Sequence, residues 1–187
     1  MPAILGLALV ACGGGVATQA PAAQTPAQTE ETMSFSVTSD AFKPGEAIPA
    51  RYTCQGQDVS PRLSWSGQPG NTASFALIVG DPDAPGGTFT HWVMFNLPAA
   101  VTKLPEGVPK SDTIENGAIQ GKNSSGKIGY MGPCPPAGKQ HHYQFTVYAL
   151  DGTLMLSPGA SKQQVLSAMD GHVLGQAQLV GTYQKGQ

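Results

Sequence analysis

With 187 residues the chain has room for one domain with a sizeable core, and not for two. Gly 24 and Pro 16 are both frequent and only 12% of residues are charged, a balance that favours short strands and tight turns over long helices. The formal net charge of -2, with no cluster of Lys or Arg, argues against nucleic acid and against a polybasic membrane patch.

Ile4 to Ala11 is an apolar run that ends in Leu9-Val10-Ala11-Cys12-Gly13. It is too short to cross a bilayer and suits the core of a signal peptide. The Leu-Val-Ala-Cys ending resembles the lipobox of bacterial lipoproteins, in which the Cys is acylated and becomes the first residue after cleavage. No Lys or Arg precedes the run, so the positive start of such a segment is missing. The alternatives are an ordinary secretory signal, or an Ala-rich N-terminus with a buried Cys. Residues 13–32 are mostly Gly, Ala, Thr, Gln and Pro, which bury too little surface to fold. They are expected to be a flexible tether reaching about 25 Å. The expected layout is a signal segment 1–12 with lipidation at Cys12, a tether 13–32 and a folded domain 33–187. By analogy with lipoproteins, Gly13 rather than Asp after the Cys places the anchor in the bacterial outer membrane, facing the periplasm.

Within the domain, Ser34-Phe35-Ser36-Val37-Thr38 alternates as a half-buried strand does. Ser74 to Val79 is a continuous apolar run ending at Gly80, which predicts a buried central strand. His91 to Leu97 is a third strand, closed by Pro98. His141 to Leu150 is the clearest, and its period of two puts His141, Tyr143, Phe145, Val147 and Ala149 on one face. Ser161 and Gln164 fit a capping box before Val165-Leu166-Ser167-Ala168-Met169. Gln178 to Tyr183 returns as a last strand. The fold class expected is all-β, an antiparallel β-sandwich with a few short helices near the C-terminus.

Two motifs carry the chemistry. Asp81-Pro82-Asp83-Ala84-Pro85-Gly86-Gly87 leads into Thr90-His91-Trp92, and Gly132-Pro133-Cys134-Pro135-Pro136 leads into His141-His142-Tyr143. Prolines fix φ and remove donors, so the first loop is stiff and holds its carboxylates in one orientation. Taken singly, the Asp-Pro turn reads as a solvated turn, each His as a core or edge residue, and Tyr143 as packing. His141 and Tyr143 share a strand face about 7 Å apart, whereas His142 faces the other way as a surface residue.

Together the motifs resemble the signatures of the phosphatidylethanolamine-binding family, which includes the Raf kinase inhibitor proteins and their bacterial relatives. The resemblance runs from about Phe35 to Tyr183. It includes Val59-Ser60-Pro61, Ser64-Trp65, the stretch from Asp81 to Pro98, Gly129-Tyr130, His141 to Asp151 and Gly171-His172 with Leu174-Gly175. It implies a pocket of Asp81, Asp83, His91, His141 and Tyr143, rimmed by Gly132, Pro133, Pro135 and Pro136. His142 departs from the Arg often found between that His and Tyr, with little effect expected on binding because it faces away.

Two carboxylates beside neutral imidazoles repel an anion, so the Asp side chains are expected to raise the His pKa values and to make binding stronger as pH falls from about 7 to 6. In an exported protein the remaining cysteines, Cys54 and Cys134, usually pair. The alternative is a free Cys134 thiolate near His141. The resulting expectation is a non-catalytic module that takes a small anionic or phosphate-bearing ligand, a phospholipid head group among the candidates, with an unspecified protein partner, no nucleic acid and no cofactor. A hydrolase using the same Asp/His pocket is the alternative class, although neither motif contains a serine or a nucleophile elbow. A metal site would use ligand spacings that match no familiar pattern. An envelope interaction protein is the third reading.

Overall fold

The computed structural model describes residues 34–186; the expected signal segment with Cys12 and the tether 13–32 lie outside the described residues. Strand β3 (Ser74–Asp81) is the unbroken apolar run of the sequence, and all of its residues are buried because both of its faces are covered. Around it β4 (Phe89–Pro98), β6 (Ile119–Gln120), β7 (Gln140–Leu150) and β8 (Val173–Gln184) complete a five-stranded antiparallel sheet in the order β6-β4-β3-β7-β8. A second antiparallel sheet has the order β1-β2-β5, from β1 (Ser36–Thr38), β2 (Leu63–Ser66) and β5 (Lys103–Leu104).

The alternation within each strand assigns its side chains to two cores. Phe75, Leu77 and Val79 of β3 join Phe145 and Val147 of β7 against Val37, Leu63, Trp65 and Leu104 of the small sheet. Ala76, Ile78, Val93, Phe95 and Leu150 face the opposite way and are covered by Leu154, Ala160 and the helix α1 (Lys162–Met169) through Val165 and Met169. Each fully buried Val, Leu, Ile, Phe or Met among them contributes roughly 1.5–3 kcal/mol. The expected face of β7 is buried throughout, from His141 to Ala149. The result is the all-β sandwich of antiparallel sheets, with a helical layer over part of its outer face.

Among the described residues α1 is the one α-helix, where a few were expected; a single 3-10 turn, Ala50–Tyr52, lies far earlier in the chain. The helix starts as anticipated. Ser161 Oγ accepts from Gln164 N–H at 3.3 Å, and Gln164 Oε1 accepts from Ser161 N–H at 2.9 Å. The last strand begins at Val173, earlier than the local pattern indicated, because its register against β7 persists from Tyr183 opposite His141 back to Val173 opposite Leu150.

Between Phe75 and Leu77 the β3–β4 pairing slips, and Asn96 there adopts a positive φ of 57°. Its amide exchanges two hydrogen bonds with the Leu154 backbone, at 2.9 and 2.8 Å, which holds the cover of the second core in place. Cys54 and Cys134 are joined by a disulfide across a sequence separation of 80. In the chain-entropy account a loop of that length stabilises by about 4–5 kcal/mol.

Candidate functional site

The site sits where β3, β4 and β7 end together. Asp81 is the last residue of β3 and continues the face of Leu77 and Val79. Strict alternation along β4 would send His91 to the other face, with Val93 and Phe95. A β-bulge prevents this. Val79 pairs with Trp92 and Gly80 with Thr90, so His91 is an extra residue without a partner on β3. The bulge re-aims His91 to the same side as Trp92. Its ring packs edge-on against Tyr143 at 5.2 Å and at a tilt against Phe89 at 4.9 Å.

Asp81 and His141 form a buried pair. His141 Nδ1–H donates to Asp81 Oδ2 at 2.8 Å, with both side chains at most 4% exposed. The other oxygen, Oδ1, accepts the Asp83 N–H at 2.9 Å, so the Asp-Pro-Asp turn locks its own first carboxylate. His91 Nδ1–H donates to Met131 O at 2.7 Å, and Met131 N–H donates back to His91 O at 3.0 Å. These bonds fix both imidazoles as Nδ1–H donors and leave Nε2 as the ring nitrogen each offers to the cavity.

The cavity is about 220 Å³. Asp81, His91 and His141 line it with Phe89, Met131, Ser125, the wall residues Ala84 and Pro85, and the rim Cys134-Pro135-Pro136. Tyr143 packs against the His91 ring and is 1% exposed. Its hydroxyl is beside the Asp81 carboxylate without completing a hydrogen bond. Burial first, then the Asp81 charge, pushes the phenol far above its ordinary value, so it stays protonated.

Two kinds of expectation are corrected, the first being which residues line the cavity: Tyr143, Gly132 and Pro133 lie outside its lining together with Asp83. Asp83 does not line the cavity: its Oδ2 accepts from the backbone N–H of His142 at 2.9 Å and from His142 Nδ1–H at 2.7 Å. That side-chain bond, followed by the backbone one, lowers the Asp83 pKa. His142 is exposed as the alternation requires, yet it holds the cavity wall through Asp83, so it is more than a bystander. The second correction concerns charge. Burial lowers the pKa of His91, outweighing the Met131 carbonyl and the Asp81 carboxylate that act to raise it. The expected elevation by the Asp side chains does not hold for this ring.

The rim is clamped from behind. Gly132 N–H donates to Asp58 Oδ1 at 2.6 Å, and Lys110 Nζ donates to Asp58 Oδ2 at 2.6 Å. A Cβ on Gly132 would meet Tyr52 O at 2.5 Å and Thr53 Cα at 2.8 Å, so only Gly allows this approach. Cys54 N–H donates to Pro133 O at 3.1 Å beside the disulfide, and Tyr130 Oη donates to Tyr52 O at 2.8 Å. Gly132 and Pro133 thus hold the rim without lining the cavity. Asp58, Met131, Ser125 and Phe89 were not singled out from the sequence. They stand in loops or strand ends brought in from a distance, and no local pattern marks them.

A family model described as phosphatidylethanolamine-binding protein matches residues 38–184. A UPF0098 protein of Methanothermobacter thermautotrophicus is 55% identical over 146 residues, covering 78% of this chain and 96% of that protein. The crystal structure of a phosphatidylethanolamine-binding protein homolog, CT736 of Chlamydia trachomatis, superposes with a TM-score of 0.75 at 44% identity, covering 81% of this chain and 98% of the other. That of Escherichia coli YbcL gives 0.76 at 39% identity, with 80% and 98% covered. The match spans both motifs and every residue that lines the cavity: this chain belongs to the phosphatidylethanolamine-binding protein family.

Proposed function

We propose that the domain is a non-catalytic binding module whose cavity holds a small anionic, phosphate-type group. The carrying observation is the buried Asp81–His141 pair with His91 beside it, around a preformed hollow of about 220 Å³. That volume suits a single phosphate-sized group with part of its substituent, and the stiff Pro-rich wall and rim keep it open. An inhibitory or signalling role would act through a partner bearing such a group. The Asp–His pair also favours a second reading, since it is the base-and-orienter half of a hydrolytic site. Against it, the Cys134 sulfur is tied in the disulfide, and the Ser125 hydroxyl contacts Met131 Sδ at 3.1 Å. Turnover of a phosphate or acyl ester, abolished in His141→Ala, would establish the enzyme instead.

We also propose that Cys12 carries a lipid that anchors the protein in the cell envelope, at the outer membrane. Incorporation of labelled palmitate that disappears in Cys12→Ser supports this; unchanged labelling contradicts it.

Titration of the full chain with inorganic phosphate, followed by backbone-amide NMR, is expected to give saturable shifts around Asp81, His91 and His141. His91→Ala and His141→Ala should each weaken binding at least tenfold, about 1.4 kcal/mol. Absence of any saturable response from a folded domain would rule the binding reading out.

The lowered pKa of His91 carries its own signature without ligand. The unfolded chain takes up this proton near pH 6.5, before the folded one does. Stability from His91 is therefore complete above about pH 6.5 and declines as pH falls below it, by at most about 1.4 kcal/mol per pH unit. Denaturant titrations from pH 7.5 to 5 should show that decline reduced in His91→Gln. A wild-type and variant pair with parallel pH dependence would contradict the assignment.

A further inference from the structure

Resting on the anion-site reading, we infer that the cavity selects a ligand that brings a proton with it: a phosphate monoester with a P–OH group, in preference to a phosphodiester, which has none. The argument is an inventory of donors and acceptors around the hollow. Three acceptors face it. Asp81 supplies a carboxylate, and the Nε2 atoms of His91 and His141 are the ring nitrogens left to accept, because their Nδ1–H groups are committed to Met131 O and Asp81.

Donors are scarce. Among the described residues, no Lys or Arg lines the cavity. Pro85, Pro135 and Pro136 have no N–H. Of the neighbouring backbone donors, Gly132 N–H is taken by Asp58, Met131 N–H by His91 O and Asp83 N–H by Asp81. The Ser125 hydroxyl is turned to Met131 Sδ, and the Tyr143 phenol is buried outside the lining. Outside the paired strands, the N–H groups of Ala84 and Cys134 and the rotatable Ser125 hydroxyl, whose Met131 Sδ partner is a weak acceptor, are the donors left in the wall and rim.

The charged groups nearby do not change this. Asp83 is matched with His142 behind the wall, with Lys139 close to that pair, and Asp58 is matched with Lys110 behind the rim. An anion whose oxygens only accept would set acceptor against acceptor. A P–OH group donates to Nε2 or to Asp81, while its other oxygens take the remaining N–H groups. The proton balance is simple. A monoester is largely dianionic above about pH 6 and must take up one proton on binding, whereas its monoanion already carries it. No covalent bond forms or breaks.

The test is calorimetric titration of the full chain with methyl phosphate and dimethyl phosphate, in buffers of different ionisation heat. The comparison is made at pH 7, where an unperturbed imidazole is mostly neutral and roughly a tenth of methyl phosphate is still the monoanion. It is the affinity of that monoanion that is set against dimethyl phosphate, so both species carry one charge. The methyl phosphate monoanion is expected to bind at least tenfold more tightly. At pH 7.5 methyl phosphate should take up about one proton on binding, and its affinity should fall about tenfold per pH unit above 6.5. Equal affinities of the two monoanions, or no proton uptake at pH 7.5, overturn the selection while leaving an anion site in place. No binding of either ligand or of inorganic phosphate removes the anion site itself. Glycerol phosphate in solution and vesicles bearing phosphatidic acid then separate a free monoester from a lipid-borne one.

Discussion

The bulge that inserts His91 opposite the Val79–Gly80 step of β3 decides what this end of the sheet can be. Regular pairing would bury His91 in the second core with Val93 and Phe95, away from Asp81 and His141. The extra residue turns the imidazole to the side of Tyr143, and the Met131 carbonyl then fixes its tautomer. Three polar side chains from three adjacent strands thus meet at one point of a face that is mainly apolar. Bulges at such positions serve to redirect a side chain, and here the redirected side chain completes a cavity.

Rigidity around this point comes from covalent and electrostatic ties within the protein. The disulfide, the Asp58 carboxylate under Gly132 and the Tyr130–Tyr52 bond hold the rim to the segment that follows the 3-10 turn. On the opposite wall, Asp81 closes its own turn and His142 holds Asp83. These contacts set the shape of the hollow before anything enters it, which lowers the ordering cost of binding.

Much of the framework was legible in the residues. The period of β7 identified the buried face from His141 to Ala149, and Ser161 with Gln164 marked the start of α1, because both signals lie within one short segment. The pocket's centre, Asp81, His91 and His141, came from a resemblance covering most of the domain. What escaped depends on tertiary geometry. Asp58 and Met131 act across loop contacts, the pairing of Asp83 with His142 depends on how the Asp-Pro turn meets β7, and the small strands β2 and β5 are too brief to show a period. The sign of the His91 shift was misjudged because burial, unlike the nearby carboxylates, cannot be read from a motif.

The picture that emerges is a cavity defined by acceptors, with its polarity set by which nitrogen of each imidazole holds the proton. Nitrogen-15 NMR of the histidine side chains, recorded at pH 7 with and without phosphate, tests this most directly. Both His91 and His141 should be protonated at Nδ1, with an unprotonated Nε2 whose shift moves as phosphate is added. An Nε2–H tautomer in either ring, or Nε2 signals unmoved by saturating phosphate, would contradict the account.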